Sequence, residues 1–408
     1  MSTHRLFALL AFVSTSLPLA AEPGVVVSLA SIGDRVRAQN PDLAAARLRI
    51  REALGRMNQS GRLANPELEA SFEHDPRMRQ RSFEIGFTQR FPITGRLGLE
   101  KQVTLTEYKA SEAEVREVER RIIAEAREAV VNVLSIRQRR ELLDEQAGLA
   151  SEFAGVLAAA AEKGEGSALD AGQAKLEAAG LAVEMRQLDA AETAVVGAVK
   201  PLLGILPGEP LHVGGTLPEP ALPDAGVDPA RRPDFQAAVL GARAAGEGVA
   251  LEQARRYDDI EAGLFAAAER TEDVPEGYDK EALVGLRFKI PLPLWNKNEG
   301  AIEEAEARKE RKELETVALG RSIRLEAEAA RAEMAEWAKL LDELGGTLVP
   351  LADQQSAAAE DAFRKGQGEL QAVFRSRGKR MELSSARLDA LREFHLARVR
   401  YEAAIGQP

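Results

Sequence analysis

The chain repeats itself, and that limits its fold more than any single motif does. Asn40-Pro41-Asp42-Leu43-Ala44-Ala45-Ala46 matches Arg232-Pro233-Asp234-Phe235-Gln236-Ala237-Ala238, and Glu67-Leu68-Glu69-Ala70 matches Asp259-Ile260-Glu261-Ala262, both at an offset of 192. Ile85-Gly86-Phe87 and Phe91-Pro92-Ile93 return as Val284-Gly285-Leu286 and Ile290-Pro291-Leu292 at an offset of 199. Lys163-Gly164-Glu165-Gly166 and Leu203-Gly204 return as Lys365-Gly366-Gln367-Gly368 and Ile405-Gly406 at an offset of 202. Because the offset grows only where turns are expected, the two halves share one element order. Residues 22–203 read as the first repeat and 228–408 as the second. Residues 204–227 form a linker, since the stretch from Gly204 to Pro233 holds seven of the nineteen prolines and cannot continue a helix. A short strand at Leu211 to Val213 is its one ordered candidate.

Each half reads as helix, two strands, long helix, tight turn, long helix. Each first helix starts at a Pro-Asp pair, where proline is tolerated and the acid suits the positive helix end. These helices are expected to reach Ala64 and Arg256. Strands follow at 66–75 and 82–92, and again at 258–268 and 281–291. Leu68, Ala70 and Phe72 alternate with Glu67, Glu69, Ser71 and Glu73; Phe83, Ile85 and Phe87 alternate with Glu84, Gly86 and Thr88. Ile260, Ala262 and Leu264, then Val284, Leu286 and Phe288, do the same in the second half. Period two gives each strand one apolar and one polar face. The segments Asp75 to Arg81 and Arg270 to Lys280 read as polar connecting loops.

Residues 1–21 carry Arg5, an apolar run from Leu6 to Val13 and small residues at Ala20 and Ala21, the pattern of a secretory signal peptide. That run is too short for a membrane helix, which takes ~20 residues. Strands of this length taken alone also suit a half-buried hairpin on a soluble domain. Coupled to export and to the repeat, they favour strands that cross a bilayer, with Leu68, Phe72, Phe83, Ile85, Phe87, Ile260, Leu264, Val284, Leu286 and Phe288 facing lipid. Four strands cannot close a barrel, and an open edge in lipid leaves backbone groups unpaired. Several chains must then share one barrel.

No proline occurs between Pro92 and Pro201, so a helix from Leu97 to Glu162 can extend ~100 Å. Ile122, Ala126, Ala129, Val133 and Ile136 form a heptad stripe, with Arg120, Glu125, Arg127 and Glu128 on other faces. The matching helix starts near Asn298, and Pro350 behind Gly345-Gly346 is expected to kink it. Small residues (Ala154, Gly155, Ala158 to Ala161, Ala357 to Ala359) let helices approach closely. Both hairpins turn at Lys-Gly-x-Gly, where Gly164, Gly166, Gly366 and Gly368 supply backbone freedom. Ser167 with Asp170 reads as a capping box with Asp in place of Glu.

This doubled order, the run Thr88-Gln89-Arg90-Phe91-Pro92 with Gly95-Arg96, and the turn Lys163-Gly164-x-Gly166-Ser167-x-x-Asp170 resemble the TolC-like outer-membrane efflux proteins. Ile290-Pro291-Leu292-Pro293-Leu294-Trp295-Asn296-Lys297-Asn298-x-Gly300 is similar to a stretch of the heavy-metal branch, the CzcC-like and CusC-like proteins. The resemblance covers about residues 28–406. It implies a mainly α fold with membrane β-strands: a homotrimer with a shared β-barrel and a long α-helical barrel in the periplasm, the linker forming an equatorial belt. It implies a passive channel in the bacterial outer membrane, served by a periplasmic adaptor and a proton-driven inner-membrane pump. The adaptor would dock at Lys163, Gly164, Gly166, Ser167, Asp170, Lys365, Gly366, Gly368 and Glu369. Where some relatives narrow the entrance with acidic rings, this chain has Ala372 and Arg375, which argues against an acidic cation filter there; Arg375 is free to pair with a carboxylate or to admit anions. The cargo implied is heavy-metal cations, with drug or protein export as the alternative within the family and a soluble periplasmic coiled-coil adaptor as the alternative outside it.

Other classes are disfavoured. A net charge of −11 offers no basic stripe for nucleic acid. Without cysteine there is no thiolate site, disulfide or lipid-anchored N-terminal Cys. The four histidines, His4, His74, His212 and His395, form no spaced ligand set, so no metal or cofactor is expected. Neither a phosphate loop nor a nucleophile–base pair suggests an enzyme.

Overall fold

The computed structural model describes residues 24–407 except 225 and 274. Residues 1–21, expected to be a signal peptide, lie outside the described residues. The order is β1 (Val25–Val27), α1 (Ile32–Gln39), α2 (Pro41–Gln59), β2 (Glu67–His74), β3 (Gln80–Phe91), α3 (Arg96–Glu162) and α4 (Ala168–Leu202). Then come β4 (Leu211–Val213), α5 (Pro233–Ala254), β5 (Ile260–Asp273), β6 (Gly277–Lys289), α6 (Glu299–Glu343), α7 (Val349–Arg364) and α8 (Leu370–Ala404).

The Pro-Asp pairs do open α2 and α5. Asn40 caps α2 by accepting the Leu43 N–H at 2.7 Å. Arg232 starts α5 with no side-chain cap, and instead pairs with Asp234 at 2.5 Å and Glu326 at 2.7 Å. Two readings need correction here. Helix α2 stops at Gln59 rather than reaching Ala64, because Ser60 turns extended and Gly61 takes a positive φ against the Leu97 carbonyl. The expected loop from Arg270 to Lys280 is mostly strand: β5 and β6 pair as far as Asp273 and Gly277. Alternating polar side chains on both faces concealed that extension.

Two sheets form. β1 pairs parallel with β4, a short strand pair joining the N-terminus to the linker. The other sheet is antiparallel in the order β2-β3-β5-β6. The helices joined to these strands keep the same order, since α2 packs on α3, α3 on α5 and α5 on α6. Farther from the sheet the layer is α4, α3, α8, then α6 with α7.

The main core lies where α1, α2, α3, the end of α4, β1 and β4 meet, around Ile32, Leu43, Ile123, Val130, Val131 and Leu203. The α3 stripe is wider than a heptad seam. Ile122, Ala126 and Val133 are buried as expected, but so are Ile123, Val130, Val131 and Leu134, because α3 has neighbours on several sides. Arg120 and Arg127 are not on a solvated face. Arg120 is bonded to Glu117 at 2.6 Å and to the Ala403 carbonyl at 2.8 Å, and Arg127 to Glu402 at 2.7 Å. A second core gathers Met334, Leu341 and Leu344 against Phe394, Ala397 and Tyr401.

The kink expected near Pro350 is a π-helical turn, Leu344–Leu348, between α6 and α7. The Val349 N–H reaches back five residues to the Leu344 carbonyl. One extra residue in the turn accommodates the missing proline N–H, a common use of a π-bulge.

Candidate functional site

Three regions carry the predicted site residues: the four-stranded sheet, its junction with the helices, and the hairpin tips.

Register places the apolar strand residues on one face. Leu68 pairs with Phe87, Phe87 with Leu264, and Leu264 with Leu286, so four strands present one apolar row. Ala70, Ile85, Ala266 and Val284 form the next row, and Phe72, Phe83, Ala268 and Ala282 the one beyond. Phe288 lies beside Ala262, and Ile260 beside Phe91. Between Phe83 and Phe91 the polar exception is Gln89, whose Nε2 donates to the Ala64 carbonyl at 2.8 Å. From Phe83 to Phe91 the column is about 20 Å tall at ~3.3 Å per residue and ~40° tilt, near the ~25 Å apolar band of outer-membrane barrels. The large side chains on this face are exposed in the single chain, except Ile260, which is half-buried.

The opposite face is charged and internally paired. Arg90 reaches Glu67 at 3.3 Å and Glu261 at 3.2 Å, Lys289 reaches Glu261 at 3.5 Å, and Arg287 reaches Glu84 at 2.6 Å. One aromatic sits among them. Phe265 lies between Gly86 and Gly285, with the Arg287 guanidinium 4.9 Å from its ring centre. A Cβ at Gly285 would come within 2.7 Å of that ring, so glycine is what leaves it room. At the junction below, Arg96 joins Asp259 at 2.7 Å and Glu100 at 2.8 Å, tying the start of α3 to the start of β5.

At the hairpin tips the two turns have one geometry. Gly164 and Gly366 take φ of +75° and +69°. The next residue's N–H bonds to the carbonyl five back, Glu165 to Ala160 and Gln367 to Ala362, each at 2.9 Å. This closes each helix with a left-handed glycine. Gly166 and Gly368 have no positive φ; added Cβ atoms there would lie 3.1 Å from Ala160 and from Phe363, so their role is close approach. Ser167 Oγ accepts the Asp170 N–H at a long 3.4 Å, and among the described residues no return bond from the Asp170 carboxylate forms. Glu369 starts α8 without a side-chain cap. Lys163, Lys365, Gly164, Gly366 and Glu369 are all exposed. Ala372 is half-buried in the first turn of α8. Arg375 is exposed and bonds only the Gln371 carbonyl of its own helix at 3.3 Å, not a carboxylate, among the described residues.

Sequence reasoning missed the cluster that joins the two tips. Phe153 of α3 lies 5.8 Å from Phe363 and 6.3 Å from Phe374, ring centre to ring centre. Arg377 stacks on Phe153 at 4.6 Å and pairs with Glu360 at 2.8 Å. Burial raises the pKa of nearby Glu177, against the pull of Arg377. The scarcity of aromatics was the available signal. Missed too was a stripe on α4 at seven-residue spacing: Leu169, Leu176 and Val183 are exposed, although apolar. Along most of its length helix α4 packs on α3, and its C-terminal end enters the main core.

Among the described residues, no group of acidic or histidine side chains is arranged to hold a metal ion, and no helix is long and apolar enough to cross a membrane. His395 is a packing residue: it is buried, and its Nε2–H donates to the Pro218 carbonyl at 2.8 Å.

A four-stranded sheet with one apolar face, joined by short connections to helices as long as 67 residues, is the frame this chain offers. A family model of outer membrane efflux proteins matches residues 32–195 and 229–374, more than half of the chain and both repeats. The chain belongs to the outer membrane efflux protein family. Solved structures share its fold. CusC superposes with a TM-score of 0.77 at 14% identity, covering 93% of this chain and 92% of that one. VceC of Vibrio cholerae gives 0.74 at 18%, covering 93% and 96%. The open-state MtrE channel of Neisseria gonorrhoeae gives 0.74 at 16%, covering 93% and 89%. No curated protein matches the chain significantly.

Proposed function

We propose that three copies of this chain form the outer-membrane exit duct of a tripartite efflux system. The observation that carries the reading is the sheet. It has a continuous apolar face, a charged and internally paired opposite face, and two edges, β2 and β6, that no other strand covers among the described residues. In lipid those edges require partners. Pairing β2 of one copy with β6 of the next closes a barrel, and three copies make twelve strands, as the family resemblance implies. The same operation brings the exposed stripe of α4 toward the outer side of a neighbour's α6 and α7. The charged face then lines the lumen, and Leu68, Phe72, Phe83, Ile85, Phe87, Ile260, Leu264, Val284, Leu286 and Phe288 meet lipid.

The hairpin tips are the adaptor-docking end. Both Lys-Gly-x-Gly turns are exposed and share one backbone geometry, so one adaptor hairpin can engage either. An inner-membrane pump supplies the energy; the duct is passive. The cargo we propose is heavy-metal cations, on the strength of the Ile290 to Gly300 stretch. The mass of the detergent-purified particle tests the assembly: three chains are expected, and a monomer soluble without detergent would defeat it. A deletion strain challenged with zinc, cobalt, cadmium, nickel and copper beside dyes, detergents and antibiotics tests the cargo. Sensitivity confined to organic compounds would keep the duct and discard the metal.

A further inference from the structure

The apolar face of the sheet ends in a row of bases. Register aligns His74, Arg81, Arg270 and Lys280 across all four strands, one row beyond Phe72, Phe83, Ala268 and Ala282 on the same face. All four are exposed. The neighbouring row on the opposite face is Glu73, Ser82, Glu269 and Glu281, three carboxylates and no base. A hairpin end that merely met water would mix its charges. In these two rows they are sorted by face, in a chain whose net charge is −11; one row farther out on the basic face Glu272 stands opposite Tyr278 and is paired with Arg79 at 3.5 Å. The opposite end of the apolar face carries no such row; it runs out on Phe91, Ile260 and Ile290.

Among the described residues no carboxylate pairs with Arg81, Arg270 or Lys280. The ion pairs of the sheet and its turn use Arg79, Arg90, Arg287 and Lys289 instead. The Arg270 guanidinium rests 3.8 Å from the centre of the Tyr278 ring, which lies one row farther out on the same face. A tyrosine and a stacked arginine directly above an apolar band are what a membrane interface favours.

We propose that this row is a binding site for the phosphate-bearing headgroups of lipids in the leaflet at the hairpin end of the barrel. The proposal rests on the reading that the apolar face meets lipid. The four columns span about 14 Å at ~4.8 Å per strand, wide enough for a bis-phosphorylated headgroup. Arginine forks bind phosphate oxygens bidentately, and long basic stems lie along apolar surface while their heads reach the polar layer. An acidic peptide or nucleic acid would satisfy the charges but not the apolar rows that continue below them. In the closed barrel three such rows form a basic girdle outside, while the carboxylates line the mouth within.

The test compares the full-length wild-type protein with the R81Q/R270Q/K280Q variant, each reconstituted in phosphatidylcholine vesicles with or without lipid A. Flotation confirms insertion, and the readouts are the melting midpoint and the lipid phosphate retained on re-extraction. The wild type is expected to retain lipid A and melt higher with it. Each basic residue near an anionic surface contributes on the order of fivefold, so the variant is expected to bind roughly a hundredfold more weakly. Equal retention by two inserted proteins would overturn the headgroup site and leave the lipid face standing. Equal stabilisation by millimolar inorganic phosphate in phosphatidylcholine alone would overturn the lipid as occupant. Failure of the wild type to insert in either vesicle would overturn the lipid face and this site with it.

Discussion

The two repeats follow one element order but bury different helices. In the first, α3 runs unbroken for 67 residues and is buried deeply, while its returning partner α4 buries only Ala174 and Val199. In the second, the outgoing helix is broken at Leu344–Leu348, and it is the returning α8 that is buried, with Phe394 and Tyr401 fully covered. At an offset of 202, Phe394 and His395 occupy the places of Glu192 and Thr193, of which Thr193 is exposed. The reason is position in the layer: α3 and α8 lie inside it, while α4 and α6 form its two flanks. The repeat therefore supplies element order, and the layer decides which copies become core. The flanks keep apolar residues that the single chain leaves uncovered, such as Leu176 on α4 and Leu325 on α6.

The largest test of this comparison is charge on the apolar sheet face. Phe87 of β3 and Leu286 of β6 are repeat equivalents in one row, the first on an inner strand and the second on an edge. Phe87→Lys is expected to cost ~2–4 kcal/mol near the bilayer midplane and to abolish most trimer assembly in membranes. Leu286→Lys should do the same if β6 is covered by a neighbouring copy and lipid. Heat-resistant oligomer on gels reads both. Normal yield for Leu286→Lys alone would place β6 outside the barrel wall.

Next comes the helix break. Gly148 stands where the second half has Pro350, and α3 has no π-turn to receive a proline. Gly148→Pro should cost about 3 kcal/mol, measured by thermal melting followed by circular dichroism. Pro350→Ala should change the melting midpoint little, because the π-turn also packs Leu344 and Leu348 into the second core. Equal effects would show that α3 bends as readily as its counterpart.

The buried face of α8 gives a pH-dependent test. Burial holds the pKa of His395 below its ordinary value, outweighing the bond to Pro218. The unfolded chain then takes up this proton before the folded one as pH falls. Stability contributed by neutral His395 is thus present above ~6.5 and declines below it. Burial raises the carboxylates of Glu128 and Glu177, whose contribution has the opposite sign and falls as pH rises through the carboxylate range. His395→Gln keeps an amide donor for the Pro218 carbonyl and should flatten the loss of melting midpoint between neutral and mildly acidic pH. An unchanged slope would assign that loss to other groups.

Much of the fold was legible because its signals are periodic. Alternation in Leu68 to Glu73 and Phe83 to Thr88 located strands, the long proline-free stretch located α3, and paired Gly residues located both tips. What escaped depends on neighbours distant in sequence. β1 and α1 carry no repeat partner to announce them. The strand character of Thr271 and Asp279 comes from pairing across the hairpin, not from their alternation. The Phe153, Phe363 and Phe374 cluster draws on three helices, and no local period reports a contact between residues 153 and 363. At the tips, spacing identified the turns but could not show that Arg375 would bond its own helix.

The smallest effects should come from the caps, where the halves differ by one residue type. Ser167 Oγ lies 3.4 Å from the Asp170 N–H, a stretched bond, while Glu369 offers its helix none. Serine caps contribute ~0.5–2 kcal/mol relative to alanine, and a long bond belongs at the low end. Ser167→Ala should therefore lower stability by about 0.5 kcal/mol, and Glu369→Ala by less. Glu369→Ser should raise it, because Ala372 already presents its backbone in the first turn, with its N–H 3.0 Å from the Glu369 carbonyl. Hydrogen exchange at the first turns of α4 and α8 resolves effects of this size where global melting does not. If Glu369→Ser slows exchange in α8 to the rate in α4, the cap alone accounts for the difference between the tips. If it does not, the difference lies in what surrounds them: α8 enters its helix on buried Leu370 and Val373, whereas α4 enters on exposed Leu169. Covering that leucine then requires a neighbouring chain.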